Sequence, residues 1–236
     1  MNQKIQELLS RFESEQINAE NFGEYQRWAL SYFHCREKVI NPNLHTTIQF
    51  CVTQAREVFE KNFRNSNESF TSYLTWRLMQ AFAMHDEFNW RLLDGCWYRF
   101  KKNLLYVPIA TQNQSRFSEI FFEDTANKTW LEFSQDYGVR VKGALTGQGQ
   151  ASTDACEALF HISVVIGNLP NLQFTSFLPH LHEMQTGRPV VYFGKRYKSG
   201  DELFMPMSIG YHHGNTDPFL VGKLLETYEK LLIQKD

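Results

Sequence analysis

The chain has 236 residues, of which 42% are hydrophobic and 15% aromatic, including 20 Phe, so it holds ample material for a core or an apolar cavity. The 24 Lys and Arg against 26 Asp and Glu leave a formal charge of −2, which argues against a nucleic-acid-binding surface. No stretch approaches the length of a membrane span, MNQKIQELLSRFESEQ lacks the apolar core of a secretion signal, and Cys35, Cys51, Cys96 and Cys156 form neither a CxxC pair nor a disulfide framework, so no membrane contact and a cytoplasmic setting are expected.

Residues 1–16 read as a short helical arm, with Ile5, Leu8, Leu9 and Phe12 on one face. Residues 44–64 place Leu44, Ile48, Val52, Ala55, Val58, Phe59 and Phe63 at helical spacing, and 70–85 form a second, more buried helix. Asp94-Gly95 between two apolar segments predicts a hairpin turn, and LLYVPIA (104–110) predicts a strand. A further helix is expected over 115–136, entered through Ser115 or Ser118, and the Gly-, Ser- and Thr-rich 141–154 reads as a loop. From residue 159 strands dominate, at 159–166, 188–194 and 203–211, with YKSGDE (197–202) as the turn between the last two. In the last strand Leu203, Met205, Met207, Ile209 and Tyr211 alternate with Phe204, Pro206, Ser208 and Gly210. Residues 218–233 close the chain as an amphipathic helix with Leu220, Leu224, Leu225, Tyr228, Leu231 and Leu232 along one face. Helices and strands mix without strict alternation, so the class is α/β or α+β; no linker divides the chain, and the expected organisation is an arm over 1–16 and one domain over 17–236.

The chemistry concentrates in YHHGNTDPF (211–219), which joins the end of a strand to the start of a helix. An imidazole on such a connection can take a proton from a hydroxyl or amine near neutral pH. Asp217 before Pro218 is also a good helix N-cap followed by proline at the first helical position, and two adjacent histidines are also compatible with a plain polar surface. His180 and His182 have no third or fourth ligand in metal-site spacing, so no metal is expected. GALTGQGQ (143–150) lacks the Lys-Ser/Thr of a phosphate loop, and Lys195-Arg196 reads as a solvated basic pair.

HHGNTDPF resembles the HHxxxDG motif of the CoA-dependent acyltransferases, and of the chloramphenicol acetyltransferase family in particular. SGDELFMPMSIGYHH (199–213) is similar to the family's Gly-Asp turn and L-x-x-P-L strand running into its two histidines. VVYFGKRY (190–197), GNLPNLQFTSF (167–177), HDEFNWRLLDG (85–95) and NFGEYQ (21–26) resemble further family segments in the same order. The likeness covers roughly residues 17–235 and is densest from about 160. It implies a two-layer sandwich of a mixed β-sheet with helices. It also implies acyl transfer from acetyl-CoA or another acyl-CoA, or from an acyl carrier protein, to a hydroxyl or amine of a small molecule, with no bound cofactor. His213 matches the general base, while Asp217 and His212 match structural motif positions. The assembly implied is a homotrimer with active sites between subunits.

Three departures from the family pattern stand out. The serine that stabilises the oxyanion falls at Gly167, leaving Asn168 or a backbone N–H as candidate replacements; one such donor is worth roughly 2.7–4 kcal/mol. No arginine stands near Asn18 to pair with Asp217; Arg11, Arg27 and Arg36 are nearby in sequence and none matches. The motif glycine is Pro218. In addition, Tyr192 stands where the antibiotic-resistance enzymes place a threonine, and Tyr25 where they place a pocket tyrosine, so both are candidate substrate-pocket residues. The acceptor is left open between chloramphenicol and a different natural product or biosynthetic intermediate. The alternative to an active enzyme is a family member that binds a small molecule or acyl-CoA without turnover.

Overall fold

The structure, a computed structural model, describes residues 3–35, 37–64, 68–111, 116–147, 154–179 and 186–235. The chain begins with α1 (Gln3–Arg11), β1 (Ser14–Gln16), α2 (Glu24–Tyr32), β2 (Asn43–Cys51) and α3 (Thr53–Val58), which runs on into a π-helical turn, Phe59–Phe63. Then come α4 (Phe70–Met84), β3 (Trp90–Leu93), β4 (Cys96–Phe100), β5 (Leu104–Ala110), β6 (Phe117–Glu123) and α5 (Trp130–Leu145). The last third holds α6 (Asp154–Ile162), β7 (Val164–Asn168), β8 (Val190–Phe193), β9 (Tyr197–Ser199), β10 (Glu202–His212) and α7 (Pro218–Ile233).

A seven-stranded mixed sheet runs in the order β2-β10-β8-β7-β5-β6, with β9 also on β10. β8, β7 and β5 run parallel to one another, and the remaining pairs are antiparallel. One face carries Leu105, Val107, Ile166, Val191, Phe193, Met205, Met207, Ile209 and Tyr211, all buried in the main core with α4, α7 and Trp130, Phe133 and Tyr137 of α5. α4 is buried on nearly every side, as its apolar composition requires, and Ser69 caps it by accepting the Ser72 N–H at 3.0 Å. The other face carries Val165, Gly167, Val190, Tyr192, Pro206, Ser208 and Gly210, which follow from the register. Part of it lies under the segment 169–178, where Phe177 O accepts the Ser208 hydroxyl at 2.7 Å.

A three-stranded sheet, β1-β4-β3, sits beside this sandwich. Leu9 and Phe12 of the N-terminal stretch are buried with Tyr98, Phe100 and Leu104, so the apolar face read at Ile5, Leu8, Leu9 and Phe12 is the docking face. The Asp94-Gly95 turn takes two left-handed residues, with φ 47° and 76°, which matches the twist of the hairpin it closes.

The helix expected over 44–64 is half strand. β2 pairs along its length with β10, and only from Thr53 does the chain turn helical. Leu44, Ile48 and Val52 are four apart, a spacing that satisfies a period of two as well as one of 3.6, so their periodicity alone does not choose. The helix expected over 115–136 is likewise displaced: Ser118, Ile120 and Phe122 are buried in alternation in β6, and the helix starts at Trp130. Its start is a capping box, in which the Thr129 side chain accepts from Glu132 N while the Glu132 side chain accepts from Thr129 N. That helix also takes in 141–145 of the expected loop, while 148–153 lie outside the described residues. The strand expected over 159–166 is helical to Ile162 and extended only from Val164.

Candidate active site

β10 ends at His212, and after five intervening residues α7 begins at Pro218. Three backbone bonds hold the turn: the His213 N–H donates to Pro42 O at 2.8 Å, and the N–H groups of Asn215 and Thr216 both reach His212 O. The buried Asn215 amide adds bonds to Glu87 O at 2.8 Å and Gly187 O at 3.2 Å. Asp217 is the N-cap of α7, its Oδ1 accepting the Leu220 N–H at 2.9 Å, and proline at the first helical position loses no hydrogen bond. It makes no ion pair among the described residues, and Arg36 lies outside them. Asp217→Ala is therefore expected to cost about 1 kcal/mol, and Asp217→Asn very little, because asparagine caps as well but cannot form an ion pair. Thermal unfolding of the two variants checks this; equal, large losses would speak for a charge partner.

His213 is half-buried, and its Nδ1 lies 3.2 Å from Thr216 O. A carbonyl only accepts, so Nδ1 carries the proton and Nε2 keeps its lone pair, which is the tautomer a base needs. The Phe33 ring lies against the imidazole with centroids 4.2 Å apart. Phe33 ends a row of rings that continues through Tyr32 and Trp28 to Tyr25, which is 57% exposed.

His212 points the other way, as neighbours on a strand must. It is 1% exposed, its Nδ1 accepts the Gly214 N–H at 2.9 Å, and its ring meets Trp97 edge-on at 5.5 Å. Burial, with smaller contributions from the charges of His34 and His213, pushes its pKa down to about 4, so it stays neutral. A Cβ at Gly214 would come within 2.8 Å of this ring, which explains a glycine there.

Gly167, Asn168 and Tyr192 form a second group at the middle of the sheet. Gly167 and Tyr192 are register partners on β7 and β8, and Tyr192 is also opposite Ser208 on β10. Asn168 Oδ1 is buried without a hydrogen bond, and Gly167 and Asn168 line a cavity of about 340 Å³ with Val107, Ile166, Pro170 and Phe193. His213 lies five residues beyond Ser208 on β10, a separation of about 17 Å along the strand. Within one chain, then, the structure gathers His212, His213 and Asp217 in the turn and Gly167, Asn168 and Tyr192 on the sheet, but does not bring the two groups together.

Phe33, Pro42, Trp97 and Thr216, which hold the two histidines, were not legible as site residues. All four act through ring faces or backbone carbonyls, which no side-chain motif encodes, and Phe33, Pro42 and Trp97 lie far away in sequence. Among the described residues no cluster of His, Cys, Asp and Glu is placed to hold a metal, and His180 and His182 lie outside them. No described helix is long and apolar enough to cross a membrane.

A family model described as chloramphenicol acetyltransferase matches residues 20–229. The chloramphenicol acetyltransferase of Escherichia coli is 26% identical over 205 residues, covering 84% of this chain and 87% of that protein. That of Campylobacter coli is 29% identical over 154 residues, covering 63% and 70%. Among solved structures, a chloramphenicol acetyltransferase superposes with a TM-score of 0.78 at 19% identity, covering 93% of this chain and 99% of that one. The dihydrolipoamide acetyltransferase of Azotobacter vinelandii gives 0.63 at 15% identity and 86% of each chain.

Proposed function

The chain belongs to the chloramphenicol acetyltransferase family and is an acyltransferase of that kind; on that premise we propose that His213 is the general base of a direct acyl transfer from acyl-CoA to a small-molecule hydroxyl or amine. The observation that carries this is the bond between His213 Nδ1 and Thr216 O, which leaves Nε2 as a fixed acceptor at the half-buried end of the strand. The acceptor's heteroatom attacks the thioester carbonyl carbon while Nε2 takes its proton, and the carbonyl π electrons move onto oxygen. Collapse restores the carbonyl and breaks the C–S bond, and the imidazolium returns the proton to the departing thiolate. No acyl group rests on the protein.

His212 and Asp217 position the turn, one by filling the space against Trp97 and Gly214 and the other by capping α7. Tyr25 and Tyr192 contribute to the substrate pocket, and Gly167 and Asn168 mark the oxyanion region. The roughly 17 Å between His213 and the row of Tyr192 supports a site completed by the neighbouring copy in a homotrimer. In this reading residues 17–236 form the acyltransferase unit, with 1–16 docked on it as an arm, and the protein works in the cytoplasm. The donor is acetyl-CoA or a longer acyl-CoA, or an acyl carrier protein. The acceptor is chloramphenicol or another natural product or biosynthetic intermediate.

Thiol release from acetyl-CoA in the presence of chloramphenicol and a broad panel of alcohols and amines is the direct test. Gly167 favours a second reading, a binding protein that has lost turnover; tight acetyl-CoA binding by calorimetry with no product by mass spectrometry would select it. Sedimentation should give a trimer at micromolar concentration, and a monomer would count against a shared site.

A further inference from the structure

We propose that the Tyr192 phenol supplies the hydrogen bond to the thioester oxyanion, in the space that Gly167 leaves open. This rests on the acyl-transfer reading above and names the donor that reading lacks.

A Cβ added at Gly167 would lie 2.3 Å from Tyr192 Cε1, 2.6 Å from Cδ1 and 3.2 Å from Cζ. Real Cβ atoms essentially never come within 3.0 Å of a neighbour, so any side chain at 167 and this placement of the ring exclude each other. The tyrosine thus occupies the volume a serine side chain would take, and its oxygen sits one bond beyond Cζ. The glycine at 167 and this placement of the Tyr192 ring therefore require each other.

Three observations fit a donor. First, the Tyr192 hydroxyl has no hydrogen-bond partner among the described residues, and the residue is half-buried rather than sealed, so its donor is uncommitted. Second, the ring is fixed: Phe177 meets it with centroids 5.0 Å apart, and Phe177 is itself tied by its carbonyl to the Ser208 hydroxyl. A donor held before the charge develops needs no reorganisation when it does. Third, a half-buried guanidinium faces this side of the sheet. Arg188 lies 3.7 Å over the Phe160 ring, donates to Phe160 O, and acts electrostatically on both Tyr192 and Tyr106. Its positive charge favours an oxyanion nearby. Burial raises the Tyr192 pKa above its ordinary value, with Arg188 opposing, so the phenol keeps its proton at neutral pH.

In the step itself the phenol stays intact. As the acceptor's oxygen or nitrogen bonds to the carbonyl carbon, the π pair moves to oxygen, and Tyr192 O–H donates to it; His213 alone takes and returns the proton. When the C–S bond breaks the carbonyl re-forms and the hydrogen bond weakens.

The test measures thiol release from acetyl-CoA, with chloramphenicol as acceptor and with water alone, at saturating donor. Tyr192→Phe keeps the ring and its packing, so its unfolding midpoint should match the parent's. Its kcat should fall at least tenfold, with KM for acetyl-CoA within twofold; one oxyanion donor is worth about 10²–10³ in kcat where nothing replaces it. The double variant Gly167→Ser, Tyr192→Thr, which exchanges the phenol for a serine hydroxyl, should recover kcat to within about threefold of the parent, as the equivalence of the two donors requires. A Tyr192→Phe protein as fast as the parent overturns the proposal, as does a change confined to KM. The acyl-transfer reading fails separately, if the parent releases no thiol with any acceptor of the alcohol and amine panel or if His213→Ala matches it.

Discussion

Replacing His213 with alanine is expected to lower kcat for thiol release by about 10²–10⁴, the usual worth of a positioned general base. The acceptor's proton then has no imidazole to receive it, and the departing thiolate has no acid to protonate it, so both halves of the transfer suffer. The fold should hold, because the turn is anchored by backbone and Asn215 bonds rather than by the His213 ring: the His213 N–H to Pro42 O bond persists in any residue but proline. Donor affinity should change little, since the ring meets Phe33 and Thr216 in the free protein. A second variant sharpens the point. His213→Asn can keep a side-chain bond to Thr216 O while offering no basic nitrogen, and should be as slow as the alanine variant. The readouts are steady-state thiol release and acetyl-CoA binding by calorimetry. Equal rates for the parent and both variants with a substrate confirmed by mass spectrometry would end the assignment of His213.

His212 should set the acid limit of stability. Its pKa is held at about 4 in the folded protein against 6.5 for an ordinary imidazole, first by burial and then by the neighbouring His34 and His213 charges. Because the folded value is the lower, the unfolded chain binds the extra proton between those two values. Stability from this group is therefore complete above pH 6.5 and lost as pH falls toward 4. The gap is worth about 3 kcal/mol, and with the residue 1% exposed there is little solvent to screen it. In His212→Asn the amide oxygen can still accept the Gly214 N–H, yet nothing titrates. That variant should start less stable at pH 7.5, having lost the ring against Trp97, but should lose about 3 kcal/mol less on going to pH 4. Urea unfolding across this range decides it; parallel curves for parent and variant would rule out His212 as the group.

Much of the fold is legible in local pattern. The last helix matches Pro218–Ile233 because its cap, its first-turn proline and its apolar stripe all agree, and the hairpin at Asp94-Gly95 follows from residues that tolerate positive φ. The acyltransferase relationship was legible as well, since the family's segments recur in order from NFGEYQ to HHGNTDPF. Where reading failed, the local signal was degenerate. β2 carries apolar residues four apart, and it is a strand only because nine of its residues find partners on β10. The same competition displaced the helix expected over 115–136: Ser118, Ile120 and Phe122 alternate into the core, while Thr129 and Glu132, a good capping box, mark the true start.

The candidate site divides in the same way. The sequence by itself determined that two histidines end a strand, that Asp217 and Pro218 open the following helix, and that glycine stands at 167 and tyrosine at 192. Only the tertiary structure decided which nitrogen of His213 is free, that His212 is sealed against Trp97, and that the Tyr192 ring fills the space over Gly167. The physical reason is range and chemistry: caps, turns and strand ends arise from side-chain patterns within a few residues, whereas the Trp97–His212 and Gly167–Tyr192 contacts join groups 115 and 25 positions apart, and the free nitrogen of His213 is set by a backbone carbonyl that no side-chain motif encodes.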